Sequence, residues 1–351
     1  MKQDLNHVLN SNKDKKVTFE ELHIRHLKLL IDLKSKKLNN WFLKMAIINT
    51  FDDLKIFLNH LKKNKHKCII AIEEKKIIGY LNIFPLNDKG TCLKISKPNL
   101  ININSSITEK DLTMGLIKKS ISITDIKTSS WVINSDIENR YLISSSRELG
   151  FQPLEKVKLW SKDNINESIN EINIDSYSSK KLQEINKLNL INVLNFIRSN
   201  QSPLIRTILD LSQKDISNRN DFNSGAIIND DSVLCTILKD INFQDGKIYT
   251  LTIGKSWDNR LNNVLKDILY NFFKKSPYSV IKTYEENTEL NSYLDTAGFT
   301  EKFQEIILVR NTIIRNESKQ INKLNQSFES IFEKLNPQGN AYPSPFPVKS
   351  K

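Results

Sequence analysis

Two acidic residues near the ends of predicted strands are the best-placed candidates for general-base chemistry in this sequence. Asp240 lies in the strand-like run "SVLCTILKDINF", and Glu285 follows "YSVIKT". A carboxylate at a strand end can take a proton from an attacking nucleophile. Each residue could equally be an acid in a surface turn, and the sequence leaves both interpretations open.

Two basic residues flank the start of a predicted helix, where they could meet a phosphate group. Arg260 is the fourth residue of the predicted helix "WDNRLNNVLKDILYNFF", and Lys255 lies two residues before that run. A helix N-terminus offers free amide groups and the positive end of the helix dipole, and both attract anions. The alternative interpretation is an ordinary solvated helix end.

Other catalytic chemistry has little support in the sequence. All five histidines lie before residue 67, and none is near a serine or cysteine in a nucleophile-like setting. The three cysteines, Cys68, Cys92 and Cys235, have no metal-binding spacing, so no metal site is expected. No phosphate-binding loop, dinucleotide fingerprint or HExxH motif occurs.

Length and composition predict a soluble protein of two domains. The chain has 351 residues, more than one core usually contains. No apolar run reaches the roughly 18 residues of a membrane span. The first 20 residues lack the apolar centre of a signal peptide, so a cytoplasmic location is expected.

The net charge of +12 is concentrated in the first part of the chain. Residues 1–100 hold 20 Lys/Arg against 10 Asp/Glu, which leaves 32 against 30 for the rest. The basic residues peak at "LKKNKHKC", without interleaved aromatic residues. A solvated helix end is the simpler interpretation, and an RNA-binding surface is the alternative.

A repeated phrase shows that the chain contains two copies of one unit. Residues 131–151 and 279–299 match at eight of 21 positions without a gap, including Gly150/Gly298 and Phe151/Phe299. Ser135 and Thr283 each precede a Glu by three residues, which predicts a capping box at a helix start. Each unit is thus expected to hold a strand, a capped helix that ends at Gly, and a second strand.

The order of predicted elements is the same in both halves. In the first half a strand, "VTFEELHI", comes before the helical segments "RHLKLLIDLKSKKLNNWFLKMAI" and "FDDLKIFLNHLKKN". In the second half the helical segments are "LQEINKLNLINVLNFIRSN", which starts at residue 182, and "PLIRTILDLS". Each half continues with three strands, the third of them "TCLKISKPNLI" in the first half, and then with a helix, a strand, a second helix and a last strand. We expect domains at 17–165 and 166–315. Residues 316–351 are expected to form a helix and a disordered, proline-rich tail that could dock on a protein partner.

This mixed α/β pattern, with Asn139 and Asn287 each eleven residues before the Gly, resembles the GNAT superfamily of acyl-CoA N-acyltransferases. The resemblance covers residues 17–160 and 175–312. It implies two tandem domains, acetyl-CoA or another acyl-CoA as co-substrate, and an amine as acceptor. Asp240 and Glu285 are then the candidate bases. The residues implied in acyl-CoA binding are Ile253, Lys255, Arg260, Asn263 and Asn287.

The sequence departs from that family at two places that matter for activity. Asn263 and Leu265 stand where the family's phosphate-binding loop has glycines, and Ser146 and Leu294 stand where it often has a tyrosine acid. Two functions therefore remain: N-acyltransferase, or a pair of degenerate domains that serves as a scaffold or regulatory binding module. A gap between the strands at "KIYTLTIG" and "YSVIKT" would favour catalysis, and a gap filled with side chains would favour the scaffold.

Overall fold

The computed structural model describes most of both halves: residues 17–30, 42–43, 46–47, 66–101, 107–124, 127–162, 182–241, 248–262 and 264–312. Several predictions fall outside these ranges: the helix "FDDLKIFLNHLKKN", most of the basic run, the polar join between the halves, and everything after residue 312. Within the described part, no helix is long and apolar enough to cross a membrane.

The first half follows the predicted order of elements, with one strand divided in two. Its described strands are β1 (Thr18–Glu21), β2 (Lys67–Glu73), β3 (Lys76–Pro85), β4 (Cys92–Ile95), β5 (Asn99–Leu100), β6 (Ser130–Asp136) and β7 (Gln152–Ser161). Its described helices are α1 (Leu27–Leu30), α2 (Glu109–Ser122) and α3 (Arg140–Glu148). The predicted strand "TCLKISKPNLI" is interrupted between β4 and β5, where Pro98 has no amide hydrogen to donate.

The second half repeats this order and adds one helix that the sequence analysis did not predict. Its described strands are β8 (Gly225–Asn229), β9 (Ser232–Lys239), β10 (Ile248–Ile253), β11 (Val280–Tyr284) and β12 (Thr300–Asn311). Its described helices are α4 (Leu190–Asn200), α5 (Pro203–Leu209), α6 (Gln213–Arg219), α7 (Val264–Lys275) and α8 (Thr288–Thr296). The unpredicted helix is α6, which begins at a capping box formed by Ser212 and Asp215.

The predicted long helix from residue 182 begins only at Leu190. The residues before it have another role, because Gln183 forms an isolated antiparallel bridge to Ala226 of β8. The amide of Gln183 donates to the Ala226 carbonyl at 2.8 Å. This bridge extends the sheet in the place that β1 has beside β2.

All described strands join one sheet, in which the two halves exchange their last strands. The order is β1-β2-β3-β4-β6-β12-β7-β11-β10-β9-β8, and β5 pairs with β3 outside this order. Strand β12 of the second half pairs with β6 of the first half, while β7 of the first half pairs with β11 of the second. The two exchanged strands also pair with each other, antiparallel, at the centre of the sheet.

The hairpins at the two ends of the sheet show that the duplication extends beyond the repeated phrase. Glu74 and Lys75 join β2 to β3, and Asp230 and Asp231 join β8 to β9, all four with positive φ. Such two-residue turns match the twist of antiparallel strands. Each hairpin also has a register shift at the same place, after Ala71 and after Ile227.

The repeated phrase forms the helix stop that it predicted, but not the capping box. Gly150 and Gly298 follow α3 and α8 with φ of +85° and +79°, and Phe151 and Phe299 are buried. The N-caps are Asn139 and Asn287. The capping-box prediction for Ser135 and Thr283 is wrong, because both residues lie inside strands.

The two faces of the sheet carry different helices. One face packs against α2 and α3 in the first half and against α7 and α8 in the second, through two large apolar clusters. The other face lies under α4, α5 and α6 in the second half. The predicted boundaries at 165/166 and 315/316 fall outside the described residues and stay predictions.

Candidate active site between the two halves

The parallel strands β10 and β11 separate partway along their length. Their pairing ends at Thr250↔Lys282, although β10 continues for three more residues, to Ile253. Beyond that point β10 pairs only with β9 on its other side. Among the described strands, none pairs with this edge of residues 251–253, so its amides and carbonyls can pair with an extended ligand.

The corresponding place in the first half, beyond the end of β4, is spanned by an ion pair between Lys97 and Glu305. After Ile95 the chain leaves β6 and follows β3, since the amide of Ser96 donates to the Asn82 carbonyl. Lys97 then lies 2.9 Å from the carboxylate of Glu305 on β12, and the Asn134 amide donates to the same carboxylate at 3.0 Å. The two gaps therefore differ, and the second half is the one with an unbridged strand edge among the described residues.

A cavity of about 80 Å³ lies on the sheet face beneath α4, α5 and α6. The strands that line the cavity belong to both halves, because the exchanged strands bring β4 and β6 close to β10 and β11. The apolar part of its wall comes largely from the three helices. The polar residues that line it are Lys94, Asn134, Gln201, Arg219, Lys239, Asp240, Thr250, Thr252, Lys282 and Tyr284.

The predicted base Asp240 lies in this cavity, where it forms an ion pair with Lys282. Both side chains are only about 10% exposed. Burial alone would raise the pKa of Asp240, but the charges of Lys282, Lys94 and Arg219 hold the pKa well below its ordinary range. A carboxylate with so low a pKa accepts a proton weakly. Asp240 therefore stabilises the surrounding cations and is a weak base.

The second predicted base, Glu285, lies outside the residues that line the cavity. Its carboxylate is partly exposed and 3.4 Å from the ammonium of Lys156. Its backbone amide donates to the Lys156 carbonyl and so continues the pairing of β11 with β7. Within the described residues, the structure shows no contact between Asp240 and Glu285.

Tyr284 lines the cavity at the end of β11 and is not among the residues predicted from the sequence. No described residue hydrogen-bonds to its hydroxyl. Burial, together with the negative charges of Glu155 and Asp240, raises the pKa of Tyr284 far above its ordinary value. The phenol therefore stays protonated near neutral pH and has a proton to donate, although the raised pKa makes it a weaker acid than an ordinary tyrosine.

The sequence contained one signal for the cavity residues. Lys94 interrupts the apolar run of β4, and Lys282 interrupts that of β11. A lysine at an inward position of a strand is rare unless it has a partner. The sequence could not show that the two strands, from different halves, contribute to the same cavity.

The loop before α7, where the resemblance predicts the phosphates of acyl-CoA, is occupied by carboxylates. Arg260 is bound to Asp258 at 2.7 Å, and the amide of Trp257 donates to Glu289 at 2.9 Å. Lys255 is exposed. A phosphate at this loop would have to displace these acids, since like charges repel.

The other residues predicted to bind acyl-CoA differ in how accessible their side chains are to a ligand. The Ile253 side chain is buried in the core of the second half, which leaves only its backbone for a ligand. Asn287 caps α8 and makes no capping hydrogen bond through its side chain. Asn263 lies outside the described residues. Tyr293, one position from the usual acid of the resembled family, donates to the Asn262 carbonyl, and its ring contacts that of Trp257 with the centroids 4.8 Å apart and the planes tilted by 41°.

Comparison with known proteins gives no match to a family model and none to a curated protein. Solved structures do match. A putative acetyltransferase from Pyrococcus horikoshii is 10% identical with a TM-score of 0.47, over 89% of this chain and 95% of its own.

Two further solved structures belong to the same superfamily as the sequence resemblance. A tandem GNAT protein from the clavulanic acid biosynthesis pathway is 8% identical with a TM-score of 0.47, over 84% of this chain and 98% of its own. A GCN5-related N-acetyltransferase from Sphaerobacter thermophilus is 8% identical with a TM-score of 0.43, over 74% and 85%.

Proposed function

We propose that this chain is an acyl-CoA-dependent N-acyltransferase whose reaction takes place in the second half. The observation that carries the proposal is the separation of β10 from β11 beside a cavity with titratable side chains. The free edge of β10 can pair with the two amides of pantetheine as an added strand would. The thioester would then lie near the cavity, where an acceptor amine can reach it.

The proposed reaction is direct attack of the amine on the thioester carbonyl. The amine nitrogen forms the new amide bond, the carbon–sulfur bond breaks, and the amine proton passes to water. Tyr284 donates a proton to the departing thiolate and regains one from water, which completes the products, an amide and free CoA. The Asp240–Lys282 ion pair fixes the end of β11, and with it the position of the Tyr284 hydroxyl.

The first test is direct binding of the co-substrate. We expect acetyl-CoA or a longer acyl-CoA to bind the purified protein in isothermal titration calorimetry at micromolar concentration. Absence of heat for every chain length at high micromolar concentration would end the proposal. Free CoA is a useful comparison, because it retains the pantetheine and phosphates but lacks the acyl group.

Replacing the proposed acid tests the reaction itself. We expect Tyr284→Phe to lower kcat roughly 100-fold with little change in KM, because general acid catalysis contributes about that factor and the ring is retained. Tyr278→Phe is the matched control, since Tyr278 is 93% exposed and should behave as the wild type. Equal activity of both variants would remove Tyr284 from the mechanism.

The alternative function is a binding module without catalysis, and the acidic loop before α7 favours it. Asp258 and Glu289 occupy the place where a phosphate would bind. This alternative predicts that Arg260→Ala and Asn287→Ala leave cellular function intact. Loss of function in correctly folded variants would count against it.

A further inference from the structure

Cationic side chains outnumber acids in the cavity between the halves. Lys94, Arg219 and Lys282 line it together with one buried acid, Asp240. A fourth cation, Lys239, is at the margin and lies 3.6 Å from Asp221. After the Asp240–Lys282 pair is counted, Lys94 and Arg219 leave an excess of two positive charges.

The side chains of Lys94 and Arg219 have few hydrogen-bond or ion-pair partners among the described residues. Lys94 is partly buried, and no described residue forms an ion pair or hydrogen bond with its ammonium; its ring contact is with Phe84, at 5.8 Å. Arg219 donates one hydrogen bond to the Leu86 carbonyl, while its buried Nε has no partner. Burial lowers the pKa of Lys94; Asp240 and Glu305 oppose this shift, and Lys282 and Arg219 add to it, so the pKa remains below its ordinary value. Uncompensated charge in a buried site is costly, and an anion would relieve it.

The rest of the wall limits the kind of anion. The volume of about 80 Å³ corresponds to about five to eight ordered water molecules. Helices α4 and α5 give the cavity an apolar lining, to which Ile197, Ile205 and Ile208 contribute, while Arg219 is the last residue of α6. A ligand that suits both the cations and the apolar lining has a charged end and a short apolar chain.

We propose that this cavity binds a small aliphatic carboxylate, with its charged end on Lys94 and Arg219 and its apolar chain against α4 and α5. This binding does not require catalysis. If the chain is an acyltransferase, the same site would select an apolar amino acid as the acceptor, and that second statement rests on the proposed function.

The test of binding uses the full-length protein without acyl-CoA, and the probe is 4-methylpentanoate. We expect calorimetry to detect binding of 4-methylpentanoate. The uncharged 4-methylpentanamide should not bind, and inorganic phosphate should bind more weakly than the carboxylate. Lys94→Met should weaken binding by about 10-fold to 100-fold, the range for a charge-assisted hydrogen bond. Lys118→Met, on the exposed side of α2, removes the same charge elsewhere and should bind as the wild type.

A second variant covers the case in which Lys94→Met does not fold, and three results would contradict the carboxylate site. If Lys94→Met does not fold, Arg219→Gln should show the same loss of binding, because it removes the other proposed cation of the site. Equal binding of the amide, binding of phosphate alone, or no binding of any probe would overturn the proposal.

An activity assay separates this inference from the proposed function. With acetyl-CoA present, acetylation of leucine but not of leucinamide would support both. Binding of 4-methylpentanoate without acetylation of any amine would support the carboxylate site and contradict the proposed acyltransferase function. Acetylation of leucinamide as fast as leucine would overturn the assignment of the acceptor class.

Discussion

Asp240→Asn should lower the free energy of unfolding by about 3–5 kcal/mol, the usual cost of leaving a buried charge without its partner. Asp240 is the one acid among the described residues that line the cavity, where it faces Lys94, Arg219 and Lys282. An asparagine of the same shape would remove its charge and leave all three cations. Urea denaturation at pH 7 measures the difference.

The matched control is an ion pair at the surface. Asp210 and Lys89 lie 2.5 Å apart with side chains 39% and 55% exposed. Asp210→Asn should cost at most about 1 kcal/mol, because exposed pairs contribute little. Asparagine also tolerates the left-handed backbone of this position, where φ is 38°. Equal losses for the two variants would contradict the account of the cavity.

The effect of Asp240 should depend on pH with a defined sign. Its pKa is lower in the folded protein than in the unfolded chain, so its contribution is complete above the ordinary aspartate pKa of about 4. Below that value the contribution falls, and it disappears as pH falls through the folded pKa. The difference between wild type and Asp240→Asn should therefore be constant near neutral pH and narrow in acid.

The sequence predicted the duplication and the order of strands, because both depend on local patterns. Short apolar runs bounded by charged or turn residues marked β2, β3 and β10, and Gly150 and Gly298 marked helix ends that require positive φ. The capping boxes failed for a tertiary reason. Ser135 and Thr283 continue the strands, where neighbouring strands satisfy the backbone, so each helix starts four residues later at an asparagine.

The exchange of strands could not be predicted from the pattern. Strands β7 and β12 occupy equivalent places in the repeat, so either one has the alternation needed beside β6 or β11. A local pattern shows that a strand has a buried face but not which of two similar neighbours it pairs with. The cavity depends on the exchange, and for this reason Lys94 and Tyr284 were missed as members of one site.

The exchanged strands also predict that neither half forms its native sheet alone. If the chain is cut between residues 165 and 166, the first fragment keeps β7 but loses β12, the partner of β6 along Ser130–Asp136. The second fragment loses β7, the partner of β11. We expect each fragment alone to aggregate or self-associate, because long unpaired strand edges recruit other strands. Co-expressed fragments should instead form a 1:1 complex on size-exclusion chromatography.

A substitution within β12 separates this cause from a general loss of solubility. Leu308 is fully buried against the core of the first half, so Leu308→Asp in the second fragment should abolish the complex. Phe303→Asp changes the same strand at a position that is 40% exposed, and the complex should survive. Two folded, monomeric fragments that do not associate would show that β7 can pair within the first half and β12 within the second. In that case the fragments would not form the cavity, because β4 and β10 would no longer lie in one sheet.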